Sequence, residues 1–166
     1  MRSETYQFNK LPDSLPEFER LIGDRKDPFN IAVLYIVALA VYIQDKELAF
    51  RMINSLKGPE VLSVYEKSYI KSTLSDSIYL PYSYFKGATP ENGYRPSLPL
   101  TIEAIETEDS DRMIDEGFKS IFFKSSGSEI MRSIKVRCVD STDEWFYWQQ
   151  FILDSIRRPK NLGKWS

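Results

Sequence analysis

Ser83-Tyr-Phe-Lys86 has the spacing of serine acyl-enzymes, in which a lysine one helical turn away activates a serine nucleophile. Ser68-Tyr-Ile-Lys71 repeats that spacing. Gly87 ends the first segment after one turn, and no Lys-Thr-Gly companion exists. So short a pattern carries little without its structural context, and coincidence is the plainer reading. A second constellation is acidic. Glu106, Glu108, Asp109, Asp111, Asp115 and Glu116 could offer oxygen ligands to calcium, or two of them a glycosidase pair. The run lacks the glycine and terminal spacing of an EF-hand loop, and a carboxylate separation is not written in a sequence. A solvated hairpin loop is expected there, and no metal is assigned.

Arg132, Lys135, Arg137, Arg157, Arg158, Lys160 and Lys164 make the C-terminal part locally basic. Interleaved with Phe146 and Trp148, they suit the stacking and neutralising of single-stranded nucleic acid. A net charge of −2 and the lack of a recognised motif disfavour nucleic acid, so cationic stems shielding aromatic rings is preferred. Cys138 is the only cysteine, which excludes an intramolecular disulfide and denies zinc its usual thiolates. Its alternation with Arg137 places it on an inward sheet face, as core rather than nucleophile. With no histidine in the chain, His-dependent triads and imidazole metal sites are excluded, and no cofactor is expected.

The strap Tyr79–Pro99 is the remaining candidate. Its prolines deny regular structure, while Tyr82, Tyr84, Phe85 and Tyr94 argue against a loose linker. Thr89-Pro-Glu-Asn-Gly93 reads as one capped turn closed by glycine. Such aromatic, proline-rich surfaces line grooves for peptides or small ligands. The plainer reading is that these rings cover core surface.

The elements that must position these residues change character along the chain. At 166 residues, with 42% hydrophobic and 28% charged content, it fits one domain with a substantial core. Residues 1–13 are polar with few signals. Ser14 caps a helix over Pro16–Ile22, and Asp27-Pro28 opens one from Pro28 to Ile43 that has no polar face and must be buried all round. That run is too short to span a bilayer, and the N-terminus has no apolar signal core, so a soluble, cytoplasmic protein is expected. Asp45 caps Lys46–Lys57. Ser63-Val-Tyr-Glu66 is a capping box opening Val64–Leu74. After the strap, strands are expected at Leu100–Glu106, Gly117–Lys124, Ile130–Val139 and Asp143–Leu153, with Ser125–Ser128 as a turn and a basic, frayed tail over 157–166.

Helices followed by strands argue α+β: N-terminal antiparallel helices packed on a C-terminal antiparallel meander sheet of about four strands. A hairpin between the last two strands places Lys135 opposite Trp148 and Arg137 opposite Phe146, with cation–π contacts on that face. Val136, Cys138, Trp145, Tyr147 and Phe151 then face the helices. Because both faces of the last strand are aromatic, Phe146 and Trp148 need a cover of their own: the strap, the neighbouring cationic stems or a second molecule.

Ser83-Tyr-Phe-Lys-Gly-Ala-Thr-Pro-Glu-Asn-Gly-Tyr-Arg-Pro-Ser97, with Lys57-Gly-Pro59, Phe122-Phe-Lys-Ser-Ser-Gly127 and Trp145–Gln150, resembles a bacterial family of uncharacterised proteins, a domain of unknown function. The resemblance spans roughly residues 28–157. It implies a small soluble bacterial protein and brings no activity, ligand or catalytic residue.

No motif assigns an activity. The expectation is a non-catalytic protein-interaction domain, with a homodimer through the aromatic sheet face as one form of it. Its candidate binding residues are Tyr82, Tyr84, Phe85, Tyr94, Lys135, Arg137, Phe146 and Trp148. The alternative is a small-molecule-binding protein or carboxylate-based hydrolase with a pocket between strap and sheet.

Overall fold

The computed structural model describes residues 2–160. In chain order its elements are β1 (Arg2–Phe8), α1 (Leu15–Ile22), α2 (Pro28–Tyr42), α3 (Lys46–Lys57), α4 (Val64–Asp76), β2 (Leu100–Glu106), β3 (Phe118–Phe123), β4 (Arg132–Val139) and β5 (Glu144–Gln150). A capping side chain accepts a free N–H at each helix start. Ser14 accepts from the Glu17 N–H, Asp27 from Phe29 and Asp45 from Leu48, while Ser63 and Glu66 cap one another reciprocally.

Every residue of α2 from Ile31 to Tyr42 is buried, because helices cover one side of it and the sheet the other. It touches α1, α3 and all five strands. Tyr35 stacks on Tyr147 of β5 with ring centroids 4.2 Å apart, joining the two layers at their centre. In α4 only Ile70 and Leu74 are buried, so that helix sits at the periphery.

The sheet is antiparallel throughout, in the order β1-β2-β3-β4-β5. It has five strands rather than about four. The additional strand, β1, lies in the stretch expected to carry few signals. It pairs with β2 along its whole length, from Arg2 opposite Glu106 to Phe8 opposite Leu100. Only Tyr6 and Phe8 pack on the core, and Tyr6 donates to Asp27 at 2.5 Å. A strand recruited through its backbone at a sheet edge needs little apolar periodicity, so its sequence shows little.

Between β4 and β5 the expected register holds for Arg137 opposite Phe146 and Cys138 opposite Trp145, with Val136 opposite Tyr147. It then shifts: Lys135 faces Gln149, not Trp148. Trp148 is the extra residue of a β-bulge, and a one-residue insertion reverses the phase of all that follows. Phe151, expected among the inward residues, is therefore exposed, whereas Ile152 and Leu153 are buried. Gln150 ends the strand by accepting the Ile152 and Leu153 N–H groups, both at 2.9 Å.

The strap closes one end of the layers. Tyr84 and Phe85 enter the main core, and Tyr79, Ala88 and Tyr94 form a smaller cluster beside it. Thr89 caps the turn Pro90–Asn92, and Gly93 follows at φ 71°, as the spacing required. Residues 157–160 of the basic tail are held rather than frayed. Arg157 N–H donates to Gly127 at 3.0 Å and Lys160 N–H to Pro90 at 2.9 Å. Lys164 lies outside the described residues.

Candidate functional site

The acidic stretch after β2 is not a free solvated hairpin. Its backbone returns onto β3 through the Ser120 N–H to Ser110 O bond, and Lys119 of β3 reaches Glu106 at 2.5 Å and Asp111 at 2.8 Å. Burial works to lower the Lys119 pKa, but its hydrogen bonds to Asp111 and Glu106 outweigh that and hold it above the ordinary lysine value. A lysine of the fold thus already neutralises the acids nearest the sheet. Among the described residues no group of three or more His, Cys, Asp or Glu is arranged to hold a metal ion.

Nor is the Ser83 hydroxyl bonded to a lysine. Ser83 Oγ donates to Leu80 O at 2.7 Å and accepts from Ser125 Oγ at 2.7 Å, and Ser125 accepts from the Gly127 N–H at 3.2 Å. Both hydroxyl protons are engaged in this buried relay. It ties the Ser125–Ser128 turn to the strap, helped by Ser126 N–H to Ser83 O at 3.1 Å.

Three strap tyrosines end on backbone carbonyls. Tyr82 donates to Ala40 at 3.5 Å, Tyr84 to Ile152 at 2.6 Å and Tyr94 to Arg157 at 2.5 Å. Burial pushes the phenols of Tyr84 and Tyr94 up to about 12. Tyr84, Phe85 and Tyr94 are buried and Tyr82 is half-buried. The strap does bound an open groove of about 600 Å³ between itself, the start of β2 and the β3–β4 turn, where Lys86, Lys124, Glu103 and Glu129 meet.

The other four candidates gather at the far end of the sheet. Arg137 lies 5.3 Å from the Phe118 ring and 4.9 Å from the Trp148 ring, while Lys135 lies 5.6 Å from Phe118. Phe118 and Trp148 touch each other with centroids 5.5 Å apart. Phe146 lies at the sheet edge, where Arg25 covers its ring at 4.4 Å. Neither expected pair makes a cation–π contact: the bulge at Trp148 moves its ring from Lys135 to Arg137, Lys135 lies over Phe118 instead, and Phe146 takes Arg25. Cationic stems shield the rings, but Trp148 remains 42% exposed.

Two recesses adjoin Trp148. One, of about 440 Å³, is bounded by Lys57, Pro59, Glu116, Arg137, Cys138 and Phe146. Cys138 is half-buried there, and burial, with Asp143 and Asp140 adding to it, raises its thiol pKa and keeps it from the thiolate form. The other, of about 380 Å³, lies between β5 and α4. Tyr65, Tyr69 and Trp148 are its exposed walls, Tyr35 and Tyr147 lie buried beneath them, and Glu66 is its one ionisable group other than the tyrosines. Burial raises the pKa of both Tyr35 and Tyr147 well above the ordinary phenol value. Lys57 approaches Glu66 at 3.6 Å and the Tyr147 ring at 5.8 Å.

The sequence assigns no binding role to Tyr35, Tyr65, Glu66 or Tyr69, although Glu66 is legible as half of the Ser63 capping box. One signal was available. Tyr65 and Tyr69 lie one turn apart on a helix whose apolar residues form no single stripe, so a surface role was open to them.

Among the described residues no helix is long and apolar enough to cross a membrane. No curated protein and no solved structure matches the chain. A family model does match residues 10–160, and the chain belongs to that family, the domain of unknown function DUF6935.

Proposed function

We propose that this chain is a non-catalytic interaction domain whose recognition surface is the aromatic trough on both sides of Trp148. The observation that carries the reading is the gathering of exposed rings there. Trp148 is 42% and Tyr65 78% exposed, over recesses that already have apolar floors. Large exposed aromatics grouped around preformed hollows are the usual anchors of protein interfaces. The engaged hydroxyls of Ser83, Ser125, Tyr84 and Tyr94 support a non-catalytic role. The partner is another polypeptide, and a second copy of this chain is one form of it.

The test is selection from a displayed random-peptide library on the wild-type domain, with Trp148→Ala as counter-target. Enrichment of sequences that bind the wild type and not the variant is the expected result. Enrichment independent of Trp148, or none at all, overturns the reading. Sedimentation over a wide concentration range tests the homodimer form.

The groove of about 600 Å³ beside the strap favours a second reading, a small-molecule site with Lys86, Lys124, Glu103 and Glu129 as its polar groups. A fragment screen followed by amide chemical shifts tests it. Hits mapping to Lys86–Thr89 and Lys124–Ser128 support it.

A further inference from the structure

The recess between β5 and α4 has a composition that selects its occupant. Its walls and floor include Tyr35, Tyr65, Tyr69, Tyr147 and Trp148, and its one carboxylate is Glu66. Among the described residues no lysine or arginine lines it. The negative faces of several rings beside a carboxylate attract an organic cation and offer an anion no opposite charge. The rest of this surface uses the same chemistry internally. Arg25 covers Phe146, Arg137 covers Trp148 and Phe118, and Lys57 covers Tyr147. Tyr65 and Tyr69 belong to α4, and neither ring carries one of the cation–π contacts found among the described residues.

We infer that this recess binds the ammonium or guanidinium end of a partner's side chain, held against Tyr65, Tyr69 and Trp148 and paired with Glu66. The inference rests on the interaction reading above and deepens it by naming the group recognised. Its size suits such an end: about 380 Å³ accommodates a lysine head or its methylated forms and lies at the small end of ligand sites. Glu66 has two duties. One oxygen accepts the Ser63 N–H at 3.1 Å and caps α4; the other lies 3.6 Å from Lys57 Nζ. Lys57 approaches from the adjoining recess, whose wall it forms, so it competes with an incoming cation for the same carboxylate.

That competition supplies a test which a purely structural role for these residues would not meet. Backbone amide shifts of the whole chain are followed while tetramethylammonium, Nε-trimethyl-lysine amide or the neutral isostere 3,3-dimethylbutan-1-ol is added. Saturable shifts at Tyr65–Ile70 and Trp148–Gln150 are expected with both cations. The alcohol binds at least about 5-fold more weakly, since it has the shape without the charge. Trp148→Ala weakens cation binding by roughly 5–30-fold. Glu66→Gln weakens it too, while still able to accept the Ser63 N–H and keep the cap. Lys57→Met, which releases Glu66, tightens it.

Equal binding of the alcohol, shifts elsewhere, or an unchanged affinity in both Lys57→Met and Glu66→Gln overturns the inference. Displayed peptides that need Trp148 but carry no Lys or Arg also overturn it, while leaving the interaction reading intact. Cation binding with no selected peptide overturns the assignment to a partner side chain, and with it the interaction reading.

Discussion

Ser125 shows how a single hydroxyl separates structure from chemistry. Its Oγ accepts from a backbone N–H and donates to Ser83, so Ser125→Ala leaves the Gly127 donor buried without its partner. Such a loss costs about 1–3 kcal/mol, and urea unfolding should show the unfolding free energy fall by that amount, through a lower midpoint at an unchanged slope. The phenols give a second prediction at this scale. Tyr84 and Tyr94 are raised to about 12, against about 10 in an unfolded chain. A neutral acid whose folded pKa is raised contributes stability that is whole below the unfolded value and is lost as pH climbs through the folded one. The fold should weaken between roughly pH 10 and 12, and tyrosinate absorbance should rise together with loss of tertiary signal. Independent titration of all tyrosines near pH 10, with the fold intact, would contradict this. At Gly58 a glycine is required twice over. Its φ is +81°, and an added Cβ would lie 2.7 Å from the Phe146 ring. Gly58→Ala should cost on the order of 1–3 kcal/mol in thermal or urea unfolding and displace that ring from beneath Arg25.

At the scale of the element, α2 and α4 are opposites. α2 is apolar on every side and buried on every side, so the sequence alone located it nearly to the residue. In α4 helicity depends on a capping box and little packing, and that box was equally legible. Ser63→Ala should therefore cost about 1 kcal/mol, felt locally. Hydrogen exchange should quicken over Val64–Ile70 and leave α2 protected, since weakly packed elements open without global unfolding. Cation binding in the recess should weaken with it, because Tyr65 and Tyr69 form its wall. The β4–β5 hairpin was half legible. Alternation predicts Arg137 opposite Phe146, and nothing in the sequence announces that Trp148 bulges out of the ladder.

For the whole molecule, the outlying element is β1. It lies before residue 10, where the family match begins, yet it covers one edge of β2 along its length. Removal of residues 2–8 should leave the helices and four strands folded but open the β2 edge, an unpaired strand of Leu-Thr-Ile-Glu-Ala-Ile-Glu. Lower thermal stability and concentration-dependent association in light scattering are the expected outcome; a monomeric, equally stable product would show that β1 contributes nothing.

Local rules reached far here. Helix caps, apolar periodicity and turn residues act over a few neighbours, so the sequence by itself determined α1 to α4, the capped strap turn, the α+β order and the exclusion of histidine chemistry. The tertiary structure decided what depends on distant partners. It recruited polar β1 to the sheet edge through backbone bonds, which leave no pattern in side chains. It also set Arg137 rather than Lys135 over Trp148, because one bulged residue shifts every later pairing, and brought Arg25 from the α1–α2 connection over Phe146. And it brought Tyr65, Glu66 and Tyr69 of a peripheral helix against Trp148 of a strand some eighty residues later, forming a recess that no spacing along the chain encodes.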